Sequence, residues 1–263
     1  MNRRSLTVSS SVILLLSCCV SISALATNTP VRPAMPKSGI VYAGADVRAL
    51  QSDDTTNPGM LWVSQGEALW NAPVNGVACA QCHCTTQSMK GVATRYPQSD
   101  ARTNKLINLE GRINLCRKNN QHATSYAYDS PELLALTSVV AHQSRGMPVA
   151  VEINAANRAA LQRGAQRYVT RMGQMNLACT HCHDKSAGRT LLAEKISEGH
   201  GNAYPIYRLE WQAAGSLHRR FKSCMVGVRA EPFAADSEEF LALELFLAWR
   251  GAGLTIETPG VRR

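Results

Sequence analysis

Aromatic side chains are scarce. Phe, Trp and Tyr together make up 6% of the 263 residues. A chain this poor in large rings needs apolar mass from elsewhere to fill a core, and a bound cofactor can supply it. Strand signals are sparse as well. No apolar run is long enough to stay in a bilayer as a permanent helix, since the stretch from Val12 to Leu16 is short and flanked by serines. Lys and Arg (28) outnumber Asp and Glu (19), for a formal charge of +9. Those cations are dispersed, with no basic helix and no patch interleaved with aromatics. That excludes nucleic acid as a partner while favouring acidic ones. An even cysteine count is also missing: nine excludes a disulfide framework that uses every one. What remains is an ordinary globular chain, 45% apolar, with the length of one large or two small domains.

Two of the nine cysteines leave early. Residues 1–26 read as a secretory signal: Arg3 and Arg4, then the apolar run, then Ala24-Leu25-Ala26 as an A-x-A cleavage site. Leu15-Leu16-Ser17-Cys18 loosely resembles a lipobox, but the A-x-A site is better formed. Cleavage after Ala26 removes Cys18 and Cys19 and leaves Cys79, Cys82, Cys84, Cys116, Cys179, Cys182 and Cys224. Residues 27–60, with Pro30, Pro33 and Pro36, read as an extended arm.

From residue 61 onward the chain repeats itself. Cys79-Ala-Gln-Cys82-His83 and Cys179-Thr-His-Cys182-His183 are both C-x-x-C-H, 100 residues apart. Gly66 and Trp70 precede the first; Gly164 and Tyr168 precede the second. Leu109-x-x-Arg112-x-x-x-Cys116 matches Leu217-x-x-Arg220-x-x-x-Cys224. Glu132-Leu133-Leu134-Ala135-Leu136 matches Glu239-Phe240-Leu241-Ala242-Leu243, Ala141 matches Ala248, and Gly146 matches Gly253. These ordered matches describe two copies of one domain, residues 61–150 and 151–263, joined near Val149 to Asn157. Each copy is helical, so the fold is mainly α. Helices are expected over Ser64 to Asn71, Pro131 to Ser144, Asn157 to Met172 and Ser237 to Arg250. Ser130 is an N-cap with Pro131 at the first position, and Asp236 or Ser237 caps the last helix. The segments between each motif and the later cysteine read as long loops, which a large cofactor packed against them would explain.

C-x-x-C-H is the attachment site of a c-type haem: two thiols for thioether bonds and a histidine for the iron. A zinc ribbon would need its second cysteine pair much closer, and a thioredoxin-like motif needs a βαβ context that is absent. Cys79, Cys82, Cys179 and Cys182 are therefore the covalent anchors of two haems, with His83 and His183 as proximal iron ligands. The fold class is two tandem cytochrome c-like helical domains, each wrapped around its haem.

The second iron ligand is less direct. Met147 has Leu254 at the matching position, and Met225 has no matching Met. The residue type that recurs is cysteine, Cys116 and Cys224, and a thiolate stabilises ferric iron. The alternatives are buried free thiols or one disulfide between the two. His122, His142, His181 and His200 have no histidine counterpart and read as surface or structural. Cys84 faces Asp184 in the alignment and is assigned no role; a reactive surface thiol and a link to a partner are both open. His218, Arg219, Arg220, Lys222 and Arg229 surround Cys224 with positive charge, which lowers a thiol pKa and attracts a small dianion. A solvated basic loop is the plain alternative.

The stretch His218-Arg219-Arg220-Phe221-Lys222-Ser223-Cys224, followed by Val228-Arg229-Ala230-Glu231-Pro232-Phe233, resembles the dihaem SoxA subunits of the SoxAX cytochromes of bacterial thiosulfate oxidation. Gly111-Arg112-Ile113-Asn114-x-Cys116-Arg117, both haem motifs and the signal extend the resemblance over essentially the whole mature chain. It implies a periplasmic protein paired with a small monohaem cytochrome, SoxX. It implies that thiosulfate is joined oxidatively to a cysteine of the carrier SoxYZ, an L-cysteine S-thiosulfotransferase activity, with two electrons passing through haem to an acceptor cytochrome c. It implies that Cys224 is both iron ligand and catalytic sulfur, often as a persulfide, that Arg220 contacts substrate, and that Cys116 ligates a first haem remote from catalysis. Cys84 departs from the family pattern. The competing readings are a dihaem electron carrier without sulfur chemistry and a dihaem peroxidase, which would need an open iron site.

Overall fold

The computed structural model describes Met1 and residues 32–263. The expected signal and cleavage site, Cys18 and Cys19, and the first residues of the arm lie outside the described residues. Nine α-helices are present among the described residues: α1 (Ala45–Ser52), α2 (Met60–Asn71), α3 (Cys79–His83), α4 (Leu109–Asn120), α5 (Pro131–His142), α6 (Arg158–Val169), α7 (Cys179–His183), α8 (Leu217–Gly227) and α9 (Glu238–Arg250). The architecture is mainly α, as expected. The largest sheet has three short strands, with Ile206–Arg208 between antiparallel Ala213–Gly215 and parallel Gly260–Arg262. No helix of the described residues is long and apolar enough to cross a membrane.

The two copies are built the same way, α2 against α5 and α6 against α9. The matching glycines make that packing possible. A Cβ at Gly66 would lie 2.2 Å from the Ala135 carbonyl oxygen, and one at Gly164 would lie 2.0 Å from that of Ala242. Neither distance is compatible with any side chain, so each pair of helix backbones touches at a glycine. The caps follow the sequence: the Ser130 hydroxyl accepts from Leu133 N–H and Ser237 from Phe240 N–H. Asp236 instead takes a left-handed backbone conformation, φ 64°. Two apolar cores result. One gathers Val63, Trp70, Leu109 and Val139, and the other Leu161, Tyr168, Phe221, Phe240 and Phe246.

Two expectations change. The arm over residues 27–60 is not extended throughout, because α1 folds inside it and docks on the C-terminal strand. Gln51 Oε1 accepts from Val261 N–H (2.9 Å) and from the Arg262 guanidinium (2.6 Å), and Asn57 donates to the Pro259 carbonyl (3.0 Å). The stretches leading to Cys116 and Cys224 are not loops for their whole length. They end in α4 and α8, capped by Asn108 and Ser216, whose side chains accept from Gly111 and Arg219 N–H.

Candidate functional site

Each C-x-x-C-H motif folds as a single helical turn, α3 or α7, which brings positions one, four and five to neighbouring places on the turn. The middle residue starts the turn. Gln81 Oε1 accepts from Ala78 N–H (2.9 Å), and His181 Nδ1 accepts from Ala178 N–H (3.0 Å). His181 is thus the equivalent of a glutamine cap, in line with its structural reading. The aromatic on the preceding helix holds the far end. The Trp70 indole donates to the Cys84 carbonyl (2.9 Å), and the Tyr168 hydroxyl donates to Asp184 Oδ1 (2.7 Å). Asp184 also pairs with Arg250 at 2.6 Å. Cys84 has no such partner among the described residues; it is exposed and left-handed, φ 59°.

The His183 imidazole is set for a metal. A carbonyl can only accept, so the 2.7 Å contact of Nδ1 with the Ser197 carbonyl places the proton on Nδ1 and leaves Nε2 free to ligate. Gly199, φ 74°, presses on the ring, where a Cβ would come within 2.9 Å of it. His83 is exposed, and its ring lies 5.7 Å from Trp70.

All seven described cysteines are free thiols, and in each copy the later one joins the motif pair. Cys116 acts electrostatically on Cys79 and is acted on by Cys82; Cys224 acts on Cys179 and Cys182. Burial, then Cys224, pushes the Cys179 thiol up to about 12. Burial also raises Cys79, Cys116 and Cys182. Cys224 goes the other way. Burial would raise it, but the His183 imidazole and Arg220, backed by Arg208, bring it below its ordinary value. The set of three thiols and one histidine with a free Nε2 fits a covalently attached haem: two sulfurs for the vinyl groups, an imidazole for one face of the iron and a thiolate for the other.

The two copies differ sharply at the matched arginines. Arg112 is committed, its Nη2 lying 2.6 Å from the Asp100 carboxylate. Arg220 sits one turn before Cys224 on α8, half-buried, and makes no ion pair or side-chain hydrogen bond with any described residue. Arg208, from the strand Ile206–Arg208, supports the same sulfur while pairing with Glu210 (3.0 Å) and Glu194 (3.4 Å). Sequence reasoning did not single out Arg208 or Ser197. Both reach the site from segments that have no counterpart in the first copy, so the repeat carries no signal for them.

The remaining candidates resolve as structural. Met225 is buried in the core of the second copy, and Met147 packs on Gly91. Buried His200 contacts Glu198 at 3.3 Å, and His142 Nδ1 is 3.4 Å from the Thr258 carbonyl.

The SoxA/TsdA cytochrome c domain model matches residues 65–149. An L-cysteine S-thiosulfotransferase subunit SoxA from Pseudaminobacter salicylatoxidans is 40% identical over 230 residues, 86% of this chain and 80% of that protein. The subunits of the same name from Rhodovulum sulfidophilum and Paracoccus pantotrophus are each 37% identical, over 86% of this chain and 80% and 78% of theirs. The crystal structure of SoxXA from P. pantotrophus includes a chain that superposes with a TM-score of 0.84 at 36% identity, covering 87% of both chains.

Proposed function

The chain belongs to the SoxA family, and from that premise we propose that it is a periplasmic c-type cytochrome with two covalently bound haems that conjugates thiosulfate to a cysteine of a SoxYZ-like carrier. The activity is that of an L-cysteine S-thiosulfotransferase, the name its relatives carry. Cys79 and Cys82 would anchor one haem, with His83 and Cys116 to ligate its iron. Cys179 and Cys182 would anchor the other, with His183 and Cys224 to ligate its iron. Each haem supplies a one-electron acceptor when bound.

The reaction joins a carrier thiol, R–SH, to thiosulfate, giving R–S–S–SO3⁻, one proton and two electrons. Thiosulfate is a small dianion, and a guanidinium offers it a two-pronged, charge-assisted clamp. The observation that carries the assignment is the contrast between the matched arginines. Asp100 occupies Arg112, whereas Arg220 makes no direct ion pair with a described residue and shares a helix with Cys224. Arg220 therefore binds the anion, and Cys224 is the sulfur beside which the new S–S bond forms. Ser197 holds the His183 ring in the tautomer that leaves Nε2 to the iron. Because two electrons must leave one at a time, the chain works with redox partners: a SoxX-like monohaem cytochrome, as in the SoxXA complex it resembles, and an electron-accepting cytochrome c.

The test is replacement of Cys224 by Ser, with haem attachment confirmed by mass. Thiosulfate-dependent reduction of cytochrome c in the presence of carrier is expected to collapse. Undiminished turnover rejects the assignment. Peptide mass spectrometry separates it from a plain electron carrier, since sulfur added at Cys224 and not at Cys116 is expected only of the enzyme.

A further inference from the structure

A cavity of about 80 Å³ lies between the two copies, and none of its lining residues belongs to a C-x-x-C-H turn. Equivalent residues line it from both sides: Leu109 with Leu217, Ala141 with Ala248, and Thr137 with Glu244. It is therefore the centre of the internal repeat, and the repeat is broken there by charge. Thr137 in the first copy is Glu244 in the second. Glu110, on α4 six residues before Cys116, corresponds to His218, on α8 six residues before Cys224. At 1.5 Å per residue each lies about 9 Å along its helix from the proposed thiolate ligand.

These groups meet. His218 Nε2 is 3.0 Å from Glu244 Oε2, out of line for a hydrogen bond, and its Nδ1 accepts from Asp236 N–H (3.1 Å). Asn108 donates to Glu244 Oε2 (3.0 Å) and contacts the Tyr128 hydroxyl. Tyr128 stacks on the His218 ring at 5.2 Å. Asp129 is held by Ser216 N–H (2.9 Å), and Asp236 adds another carboxylate. His200, Tyr96 and Tyr204 close the far wall. Glu110 faces Glu244, Asp129 and Asp236, three acids, and has no ion pair among the described residues. The cavity is roomy and polar enough for water. Burial, then Glu244, pushes the Glu110 carboxyl up to about 8. A buried acid among acids is costly to keep, and such groups concentrate where a proton has work to do.

We propose that Glu110, beside Glu244 on the cavity between the two domains, is a proton-binding site that takes up a proton when an electron enters the chain and releases it when the electron leaves. The inference rests on the haem attachment proposed above but not on thiosulfate chemistry. For each electron that a bound haem would accept, the Glu110 carboxylate becomes a carboxylic acid, with a proton drawn ultimately from solvent. When the electron passes to the acceptor the acid gives the proton back. No other bond changes. The driving force is electrostatic, because added negative charge about two helical turns away favours the neutral carboxyl.

The experiment is a spectroelectrochemical titration of the haem-loaded full chain at pH values on both sides of about 8. The reduction potential is expected to be flat below that range, to fall with rising pH through it, and to flatten in Glu110→Gln, while Glu244→Gln, which removes a repelling charge, moves the falling range to lower pH. Glu67→Gln, the same charge change at an exposed position, should keep the slope. A pH-independent potential in the unaltered chain overturns the proposal, as does a slope that persists unchanged in Glu110→Gln. If those variants fail to fold, the reduced-minus-oxidised infrared spectrum of the unaltered protein decides. A protonated-carboxyl band that shifts in D2O is expected to grow on reduction, and its absence overturns the proposal. An isolated chain without haem defeats the haem reading instead, a separate outcome visible before any titration.

Discussion

Arg220 is the sharpest place to test how the chain handles its anion. It is half-buried, one turn from Cys224, and in no direct ion pair with a described carboxylate, although Glu194 and Glu210, both paired with Arg208, act on it from farther off, while its equivalent Arg112 is tied to Asp100 at 2.6 Å. A hydrogen bond to a charged group contributes about 1.5–3 kcal/mol, and a guanidinium makes two in parallel to one anion. Arg220→Gln removes the charge and one prong, a loss of about 3 kcal/mol, or roughly a hundredfold in kcat/KM for thiosulfate. Arg220→Lys keeps the charge and loses the fork, a loss of about 1.5 kcal/mol, or roughly tenfold. Arg112→Gln is the matched control. It leaves the Asp100 carboxylate without its cation, so it lowers thermal stability and leaves the thiosulfate dependence unchanged. The assay is thiosulfate-dependent cytochrome c reduction with carrier, on proteins of equal haem content. Equal KM effects at Arg112 and Arg220, or an unchanged kcat/KM in Arg220→Gln, would refute the reasoning.

Two further predictions concern stability. Gly66→Ala and Gly164→Ala each drive a Cβ into a backbone carbonyl, at 2.2 Å and 2.0 Å, so each costs about 1–3 kcal/mol by overpacking and lowers the melting temperature by about 2–4 °C per kcal/mol; an unchanged melting temperature in either variant contradicts the close approach. Glu110 has its folded-state pKa raised from 4.5 to about 8, so the folded chain binds more protons than the unfolded one between those values, and stability is full below the lower value and is lost as pH rises toward the upper. Urea unfolding across that window is expected to show a slope of up to about 1.4 kcal/mol per pH unit that Glu110→Gln removes, and a slope retained by the variant refutes the assignment.

Much of the framework is legible in the sequence because it is local. The C-x-x-C-H turns need only five consecutive residues, the serine caps only four, and Gly66 and Gly164 show themselves as glycines at matched positions before each motif. The helices carrying Cys116 and Cys224 were harder to see. Leu-x-x-Arg-x-x-x-Cys is helical spacing, yet Leu109–Asn120 is mostly polar, so no apolar stripe marks it. Its stability comes from the Asn108 cap and from what packs on it. The fold of the arm was hidden for a different reason: α1 is fixed by bonds from Gln51 to Val261 and Arg262, about two hundred residues away along the chain, which no local pattern encodes.

The site is harder still, since its decisive features are differences between positions that the repeat makes equal. The two copies share the residues of the proposed haem frame: the thiols, the histidine, the glycine contact and the aromatic clamp. Where the copies diverge, that frame no longer explains the residue. Arg112 is neutralised and Arg220 is not; Thr137 is Glu244; Glu110 is His218; Cys84 is Asp184. The first of these leaves an arginine without a direct ion pair in the second copy alone, and the next two place a charge cluster on the boundary, where each copy contributes part. Asymmetry at that point demands a cause beyond packing, because Thr and Glu, or Glu and His, differ in charge far more than in volume. The boundary therefore belongs with Arg220 among the parts of the molecule shaped by what the protein does, and Glu244→Thr, which restores the symmetric residue, removes that charge while keeping the frame.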